Sequence, residues 1–577
     1  MDTLTSVFDY SYAPNAALGA ARHHTEIVLP AGRYGGGYSI TVSGGSYSVT
    51  PGSGGQPDIL TVTAAGAGPV GVHVVPTQQA CGVDIGQGVL AQATPVRTGL
   101  VAAGGRLPTA RIATPAPDSM SADRLRHSGH PFDSPPPAAQ HKETQPMSWD
   151  FSTEPEFQEK LDWMEKFVKE EVWPLEVIDT DLAGFTRLVR PLQEEVKVRG
   201  LWATHLPPEH GGQGYGQVKL GLMHEIEGSS IFGPTVFGNQ APDSGNSEIL
   251  ALCGTEDQKQ KWLRPLLDGE FRSAFSMTEP APGAGADPTM LRTTARREGD
   301  EWVINGHKWF TSNAMIADFL IAMVVTDPDN DNQYARASMI IVPKDAPGLN
   351  LARNIPNMVS EHEPFGMGHS EVFYENCRVP LDNLLGGEGQ GFLIAQMRLG
   401  PGRIHHCMRW LGQARRAFDM LCEWALQREA FGGALARKQT VQNWIADSAA
   451  EMQAARLMTL HAAWKMDQEG PTAARKEISM IKFFGAKVLH DVIDRAIQVH
   501  GSLGFSSDLP LEGMYRAARG ARIYDGPDEV HRVTVARQVL KEYTPNEGAW
   551  PRDHIPTRRE AAQRKFAAQL DAATANL

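Results

Sequence analysis

Residues 440–501 read TVQNWIADSAAEMQAARLMTLHAAWKMDQEGPTAARKEISMIKFFGAKVLHDVIDRAIQVHG, two long apolar-periodic runs separated by Gly470-Pro471. The first run is expected to stop at Gly470, Pro471 to restart the next helix in its first turn, and the second run to stop at Gly501. Helices this long, with one apolar face each, bury that face by packing as a bundle. A polar tail follows Lys541.

Upstream of the bundle the periodicity changes. From about Phe271 to Pro380 the chain reads as strands: FLIAMVV, ASMIIVP and EVFYENCRVP are short apolar or alternating runs,. In EWVINGHKWFTS, Asn305-Gly306 is expected to turn a hairpin. Further upstream, MSWDFSTEPEFQEKLDWMEKFVKEEVWPLE places Phe157, Leu161, Met164, Phe167 and Val168 on one helical face,. GTEDQKQKWLRPLL opens with Thr255 and Gln258 in capping-box spacing.

Residues 1–146 differ in kind, being rich in Gly, Ala, Pro, Ser and Thr. Such a composition buries little apolar surface against the entropy of ordering, so no stable core is expected there. YSITV and DILTVTA alternate like short strands of isolated hairpins. Met147 stands where foldable sequence begins. It is read as the true start of the protein, the alternative being that residues 1–146 are a real flexible appendage. The expected organisation is residues 1–146 as an extension, 147–270 an N-terminal helical domain, 271–385 a middle β-domain, 386–545 a C-terminal four-helix bundle and 546–577 a tail. The fold class is α+β multidomain.

The 577 residues carry a formal net charge of -13 with no basic stripe, which argues against nucleic acid as a partner,. No apolar run approaches the roughly 20 residues that span a bilayer, and the N-terminus has no basic segment followed by an apolar one. A cytoplasmic protein without an integral membrane segment is expected. Cys81, Cys253, Cys377, Cys407 and Cys422 are scattered with no metal-ligand spacing, so inert thiols and no metal site are expected,.

Seven motifs lie in an order that carries a resemblance. They are LPPEHGGQG (206–214), GTEDQKQKWLRPLLDGE (254–270), FSMTEP (275–280), INGHKWFTSNA (304–314), GGEGQGF (386–392), REAFGGALARKQTVQ (428–442) and RIYDGPDEVHRVTVAR (522–537). From about Trp149 to Tyr543 the chain resembles the acyl-CoA dehydrogenases, especially the subgroup whose last motif reads DGPDEVH with Asp in place of the usual Glu. The resemblance implies a helical domain, a middle β-barrel-like domain and a helical bundle enclosing FAD. It also implies removal of the α-proton and β-hydride of an acyl-CoA, with electrons passed to an electron-transferring flavoprotein. No G-x-G-x-x-G follows a strand, so a Rossmann flavin site is excluded.

Carried onto this chain, the resemblance puts Met277 and Thr278 at the flavin's pyrimidine edge, Trp309 against its ring and Thr311 near N5. A flavin needs such apolar walls and edge donors. Arg428 matches the arginine that reaches the FAD pyrophosphate of a neighbouring subunit, a task suited to a planar guanidinium. Gln439, Gln498, Gly501 and Gly504 match other contributors to that shared pocket, which implies a homodimer or homotetramer. Arg403, Tyr524 and Gly526 fall beside the substrate. The position before Arg403, where some members place their base, is Gly402.

That leaves Asp525 as the candidate base, with a structural acid as the alternative. An α-proton beside a thioester is weakly acidic, so a close, desolvated carboxylate of raised pKa is expected. Asp is one methylene short of Glu, and a misplacement of ~1 Å can cost ~10²-fold. Pro527 and Glu529 replace a usual Thr and Gln, and no serine precedes Asp287; both departures put contacts in question. His405 and His406 are adjacent, point to different helix faces and are read as structural. His531 is read as part of an ion cluster with Asp528 and Glu529 at a helix start. Two other activities stay open: a flavin oxidase of the nitroalkane oxidase kind, and a silent acyl-CoA- or FAD-binding subunit.

Overall fold

A computed structural model of the chain describes residues 8–12, 24–29, 38–43, 45–50, 58–64, 70–76, 151–359 and 367–574. The chain divides into two units, residues 1–88 with 151–577, and residues 89–150. The second unit, with Met147, lies outside the described residues.

In the N-terminal stretch six strands pair into two antiparallel sheets. One has β1 (Phe8–Tyr12), β6 (Val70–Pro76) and β3 (Tyr38–Ser43) in that order; the other has β2 (His24–Leu29), β5 (Asp58–Ala64) and β4 (Gly45–Thr50). The two alternating patches read from sequence are β3 and β5. Leu60 and Val62 on β5 and Val72 and Val74 on β6 are buried. Alternation in β5 and β6 puts these aliphatic side chains on one face of each strand.

The helical layer begins with α1 (Pro155–Phe167), whose five expected face residues are all buried. α2 (Leu182–Val198), α3 (Gly216–Glu227) and α4 (Asp243–Cys253) follow. The Thr255 capping box forms in both directions, Gln258 N–H to Thr255 Oγ1 at 3.2 Å and Thr255 N–H to Gln258 Oε1 at 3.1 Å. The amide of Gln258 then ties the layer to the β-domain by donating to the carbonyls of Asp382 and Leu384.

The middle domain is one sheet built from β7 (Ser273–Ser276), β8 (Thr294–Glu298), β9 (Glu301–Ser312), β10 (Phe319–Val325), β11 (Ala337–Pro343), β12 (Leu349–Asn354), β13 (His369–Pro380) and β14 (Leu384–Leu385). Its order is β12-β13-β9-β8-β10-β11-β14, with β7 on β10. β10 is buried on both faces: Phe319, Ile321 and Met323 pack toward Trp262 and Leu266, while Leu320, Ala322 and Val324 pack with Trp302 and Tyr374. This is why FLIAMVV is continuously apolar rather than alternating.

Asn305-Gly306 turns no hairpin. β9 runs straight through it, and the turn between β8 and β9 falls at Gly299-Asp300, where Glu298 pairs Glu301. Asn305 Oδ1 instead accepts the Asn376 N–H at 2.8 Å across a register shift in β13. A Cβ at Gly306 would lie 2.4 Å from Thr293 Oγ1, so glycine is required by close approach and not by a turn,.

The C-terminal domain holds α5 (Gly391–Gln427), α6 (Gln439–Glu469), α7 (Arg475–His500), α8 (Leu511–Ala521) and α9 (Asp528–Leu540). α6 ends at Gly470 and α7 at Gly501, both with positive φ. α7 starts at Arg475, four residues beyond Pro471, because residues 471–474 form turns first. Pro401 sits inside α5 without ending it. The apolar faces of α1–α3 and of α5–α8 close one continuous core, from Met164 and Met223 to Ile404, Leu489 and Met514.

Candidate active site

Two groups of expected residues come together. The first lies in the β-domain, where β9 carries Trp309 and Thr311 on either side of Phe310, whose left-handed backbone and the register shift against β13 interrupt the strand alternation,. The Trp309 N–H donates to the Thr278 carbonyl at 3.0 Å, which brings the wall residue to the edge segment. Lys308, fully buried, donates from Nζ to the Met277 carbonyl and to Glu279 Oε1, each at 2.8 Å. Glu279 in turn accepts the N–H groups of Arg292 and Thr293 at 2.8 and 2.9 Å. Burial pushes the Lys308 ammonium down to about 8 against the pull of Glu279. Burial also opposes ionisation of Glu279, but Lys308 and the Thr293 hydrogen bonds outweigh it and hold its carboxyl below the usual range.

Thr311 is buried with Oγ1 3.3 Å from Ser276 Oγ, which also accepts from the Tyr374 hydroxyl at 3.0 Å. A half-buried indole, a hydroxyl two residues along the same strand and an edge segment with tied-down carbonyls suit the flat, partly polar ring of a flavin,.

The second group surrounds Asp525, on the loop between α8 and α9. Asp525 has φ +53 and Gly526 φ +100. A Cβ at Gly526 would stand 2.8 Å from His531 Nε2, so only glycine fits,. The Asp525 carbonyl accepts from Arg403 Nε and His531 Nε2, both at 3.1 Å. Lys482, also fully buried, donates to the carbonyls of Ala521 at 2.6 Å and Gly526 at 3.3 Å. Its ammonium lies 5.2 Å from the Trp410 ring centre and 5.5 Å from that of Tyr524, and Trp410 Nε1 donates to the Tyr524 hydroxyl at 2.9 Å. Arg403, Tyr524, Asp525 and Gly526 therefore form one cluster.

Two expectations about this cluster are corrected. The Asp525 carboxyl is not raised: desolvation works to raise it, but the hydrogen bond from His406 and the positive charge of Arg403 and Arg398 outweigh that and hold it well below the usual carboxylate range. His531 makes no ion pair with Asp528 or Glu529 but turns back to the Asp525 carbonyl; Asp528 pairs with Arg522 at 2.8 Å. The adjacent histidines do diverge, and His405 lies 3.0 Å from Gln217 Oε1. His406 Nε2 lies 3.1 Å from Asp525 Oδ2. The signal for it was present: Arg403 and His406 are three apart on one helix face, so a side that holds Arg403 on Asp525 holds His406 there too.

Arg398 links the groups. Its guanidinium lies 4.1 Å from the Phe275 ring centre, beside the edge segment, donates to Asn246 Oδ1 at 3.1 Å, and acts on the Asp525 charge. Nearby, burial pushes Glu248 up to about 8 against the pull of Arg398. Arg428, Gln439, Gln498 and Gly501 are exposed, at the end of the bundle where Trp424 stacks on His500 at 5.4 Å. Gly504 is buried, and a Cβ there would meet the Ile497 carbonyl at 2.6 Å. Among the described residues no cluster of His, Cys, Asp and Glu could hold a metal, and no helix is long and apolar enough to cross a membrane. Cys81 lies outside the described residues.

Comparison with known proteins agrees with this geometry along the chain. Residues 154–270, 274–377 and 389–540 match the N-terminal, middle and C-terminal domains of acyl-CoA dehydrogenase. The chain belongs to the acyl-CoA dehydrogenase family. Its cofactor is FAD.

A Mycobacterium tuberculosis protein named as acyl-CoA dehydrogenase FadE2 is 47% identical over 358 residues, 61% of this chain and 86% of that protein. Acyl-CoA dehydrogenase family member 11 of Rattus norvegicus is 42% identical over 67% of this chain, which spans only 50% of that longer relative. A solved structure described as an acyl-CoA dehydrogenase from Mycobacterium abscessus is 40% identical, with a TM-score of 0.64, and covers 68% of this chain and 100% of its own. Residues 1–74 match a different family, the glycoside hydrolase family 5 C-terminal domain. The acyl-CoA dehydrogenase match thus begins only after the N-terminal sheets.

Proposed function

We propose that this chain desaturates an acyl-CoA thioester between Cα and Cβ, with Asp525 as the base. The observation that carries the reading is a single ionised carboxylate fixed at its main chain by Arg403, His531 and the Lys482-held turn, in a cluster joined through Arg398 to the flavin edge. When bound, FAD supplies the acceptor for the β-hydrogen and its electron pair.

The residues of the chain do the rest. Lys308 and the Trp309 N–H hold the Met277–Thr278 segment, Trp309 covers one face and Thr311 offers a hydroxyl. Asp525 takes the α-proton, and Arg403, Tyr524 and Gly526 shape the place where the thioester end sits. Arg428, Gln439, Gln498 and Gly501, exposed in one chain, complete the adenosine side in a homodimer or homotetramer. An electron-transferring flavoprotein is the proposed acceptor.

Anaerobic mixing of the holoenzyme with acyl-CoAs of graded length tests the reading. Bleaching of the flavin without oxygen uptake in air is expected. Rapid reoxidation by air would assign the site to an oxidase using the same aspartate, and no bleaching with any acyl-CoA would leave a binding subunit.

A further inference from the structure

The contact between His406 and Asp525 goes beyond the recognised site residues. An aspartate base has only two side-chain torsions, but nothing in the main-chain clamp by Arg403 and His531 fixes its carboxylate plane. His406 supplies that restraint, with Nε2 3.1 Å from Oδ2. Its ring is itself held, 5.3 Å from the Tyr524 ring centre and 6.1 Å from that of Trp410, at an interplanar angle of 24° to the indole. The charged groups around the pair are Arg398, Arg403 and Arg409 on α5 and Lys482 on α7. Among the described residues, no donor is placed on Oδ1.

We propose that His406 is the positioning residue of the base: its imidazole N–H holds Oδ2 of Asp525 and leaves Oδ1 to take the α-proton. In that step the Cα–H bond breaks, the proton passes to Oδ1, and the electron pair stays on the substrate to become the new π bond as the β-hydrogen departs with its own pair. The imidazole keeps its proton throughout. Burial supports the neutral donor, since it lowers the ionisation of His406 despite the carboxylate beside it. An aspartate one methylene short is thereby a working base because its plane is fixed from a neighbouring helix, not because its acidity is weakened.

This inference rests on the dehydrogenase reading, and the test separates the two. Full-length holoenzyme is compared with His406→Phe, which keeps a ring against Trp410 and Tyr524 but has no N–H, and with His406→Asn and His406→Gln, which keep a donor without the ring. Two quantities are read: anaerobic flavin bleaching at saturating acyl-CoA, and exchange of the α-hydrogens of a 3-thiaacyl-CoA in D2O. The latter reports proton abstraction alone, because sulfur at the β-position has no hydrogen to give.

Both rates are expected to fall about 100-fold in His406→Phe, the loss that ~1 Å of misplacement brings. The better of the two amide variants should stay within about 10-fold of the parent, with FAD content and acyl-CoA affinity unchanged in all. Bleaching and exchange in His406→Phe at the parent's rate overturn the inference, as do amide variants both as slow as His406→Phe. A parent that no acyl-CoA bleaches overturns the dehydrogenase reading, and the inference with it.

Discussion

The flavin edge in the β-domain and the base loop in the bundle are each tied down by a fully buried lysine, but the two lysines are compensated differently. Lys308 holds the Met277 carbonyl and has a carboxylate, Glu279, in contact at 2.8 Å. Lys482 holds the Ala521 and Gly526 carbonyls beside the faces of Trp410 and Tyr524, with no carboxylate in ion-pair contact among the described residues. The edge is thus a closed ion pair that serves as a rigid frame. Around the loop of residue 525 the positive charges of Arg398, Arg403 and Lys482 act on Asp525, the proposed base, which none of them meets in an ion pair. A frame can neutralise its own charges, whereas a proton-transfer site cannot without disarming its base.

Substitutions can break that contrast, the largest effect coming from the base itself. Asp525→Asn should lower anaerobic bleaching by about 10³-fold or more, toward the upper range for a general base, while keeping FAD. Stopped-flow absorbance with unchanged flavin content checks it, and an unslowed variant would make Asp525 a structural acid. Next, Lys308→Met leaves the Glu279 carboxylate buried and uncompensated, which costs about 3–5 kcal/mol. A Tm drop with faster FAD loss is expected, and Lys308→Met with Glu279→Gln should recover part of it. Lys482→Met leaves two carbonyls without their donor, at ~1–3 kcal/mol each. It should therefore lower Tm by an amount comparable to Lys308→Met and slow bleaching more.

Acid sharpens the same contrast. Burial and the Arg403 charge push His531 down to about 4. Its folded-state pKa lies below the ordinary value, so the unfolded chain takes up the proton first, and stability falls as pH drops from about 6.5 toward 4. Glu279, held below its ordinary value, keeps the edge frame intact through the same window. Tm measured against pH should fall less steeply in His531→Gln, by about 2 °C across the window. A slope unchanged in that variant would place the acid-sensitive groups elsewhere.

Much of this was legible in sequence because it is local. The α1 face, the capping box at Thr255, the glycine stops at 470 and 501 and the order of the seven motifs depend on spacing along one element. What failed depends on neighbours from other elements. Asn305-Gly306 has turn chemistry, but the approach of Thr293 and the pairing with Asn376 use it inside a strand. His531 lies near acids in sequence and beside a carbonyl in space. The hold on Asp525 that keeps its carboxyl ionised comes from three α5 side chains that no spacing rule assigns to a loop more than a hundred residues away. In the N-terminal stretch β3 and β5 were legible as alternating patches, but their pairing into sheets with β1, β2, β4 and β6 joins segments that no local pattern relates.

The central claim is that Asp525 and the flavin edge act together on an acyl-CoA. It is tested most directly by quantifying the product of a single anaerobic turnover. Purified holoenzyme mixed with its best acyl-CoA should give one enoyl-CoA per flavin bleached in the parent and none in Asp525→Asn on the same time scale. Bleaching without enoyl-CoA in the parent, or equal product from both proteins, would contradict the account.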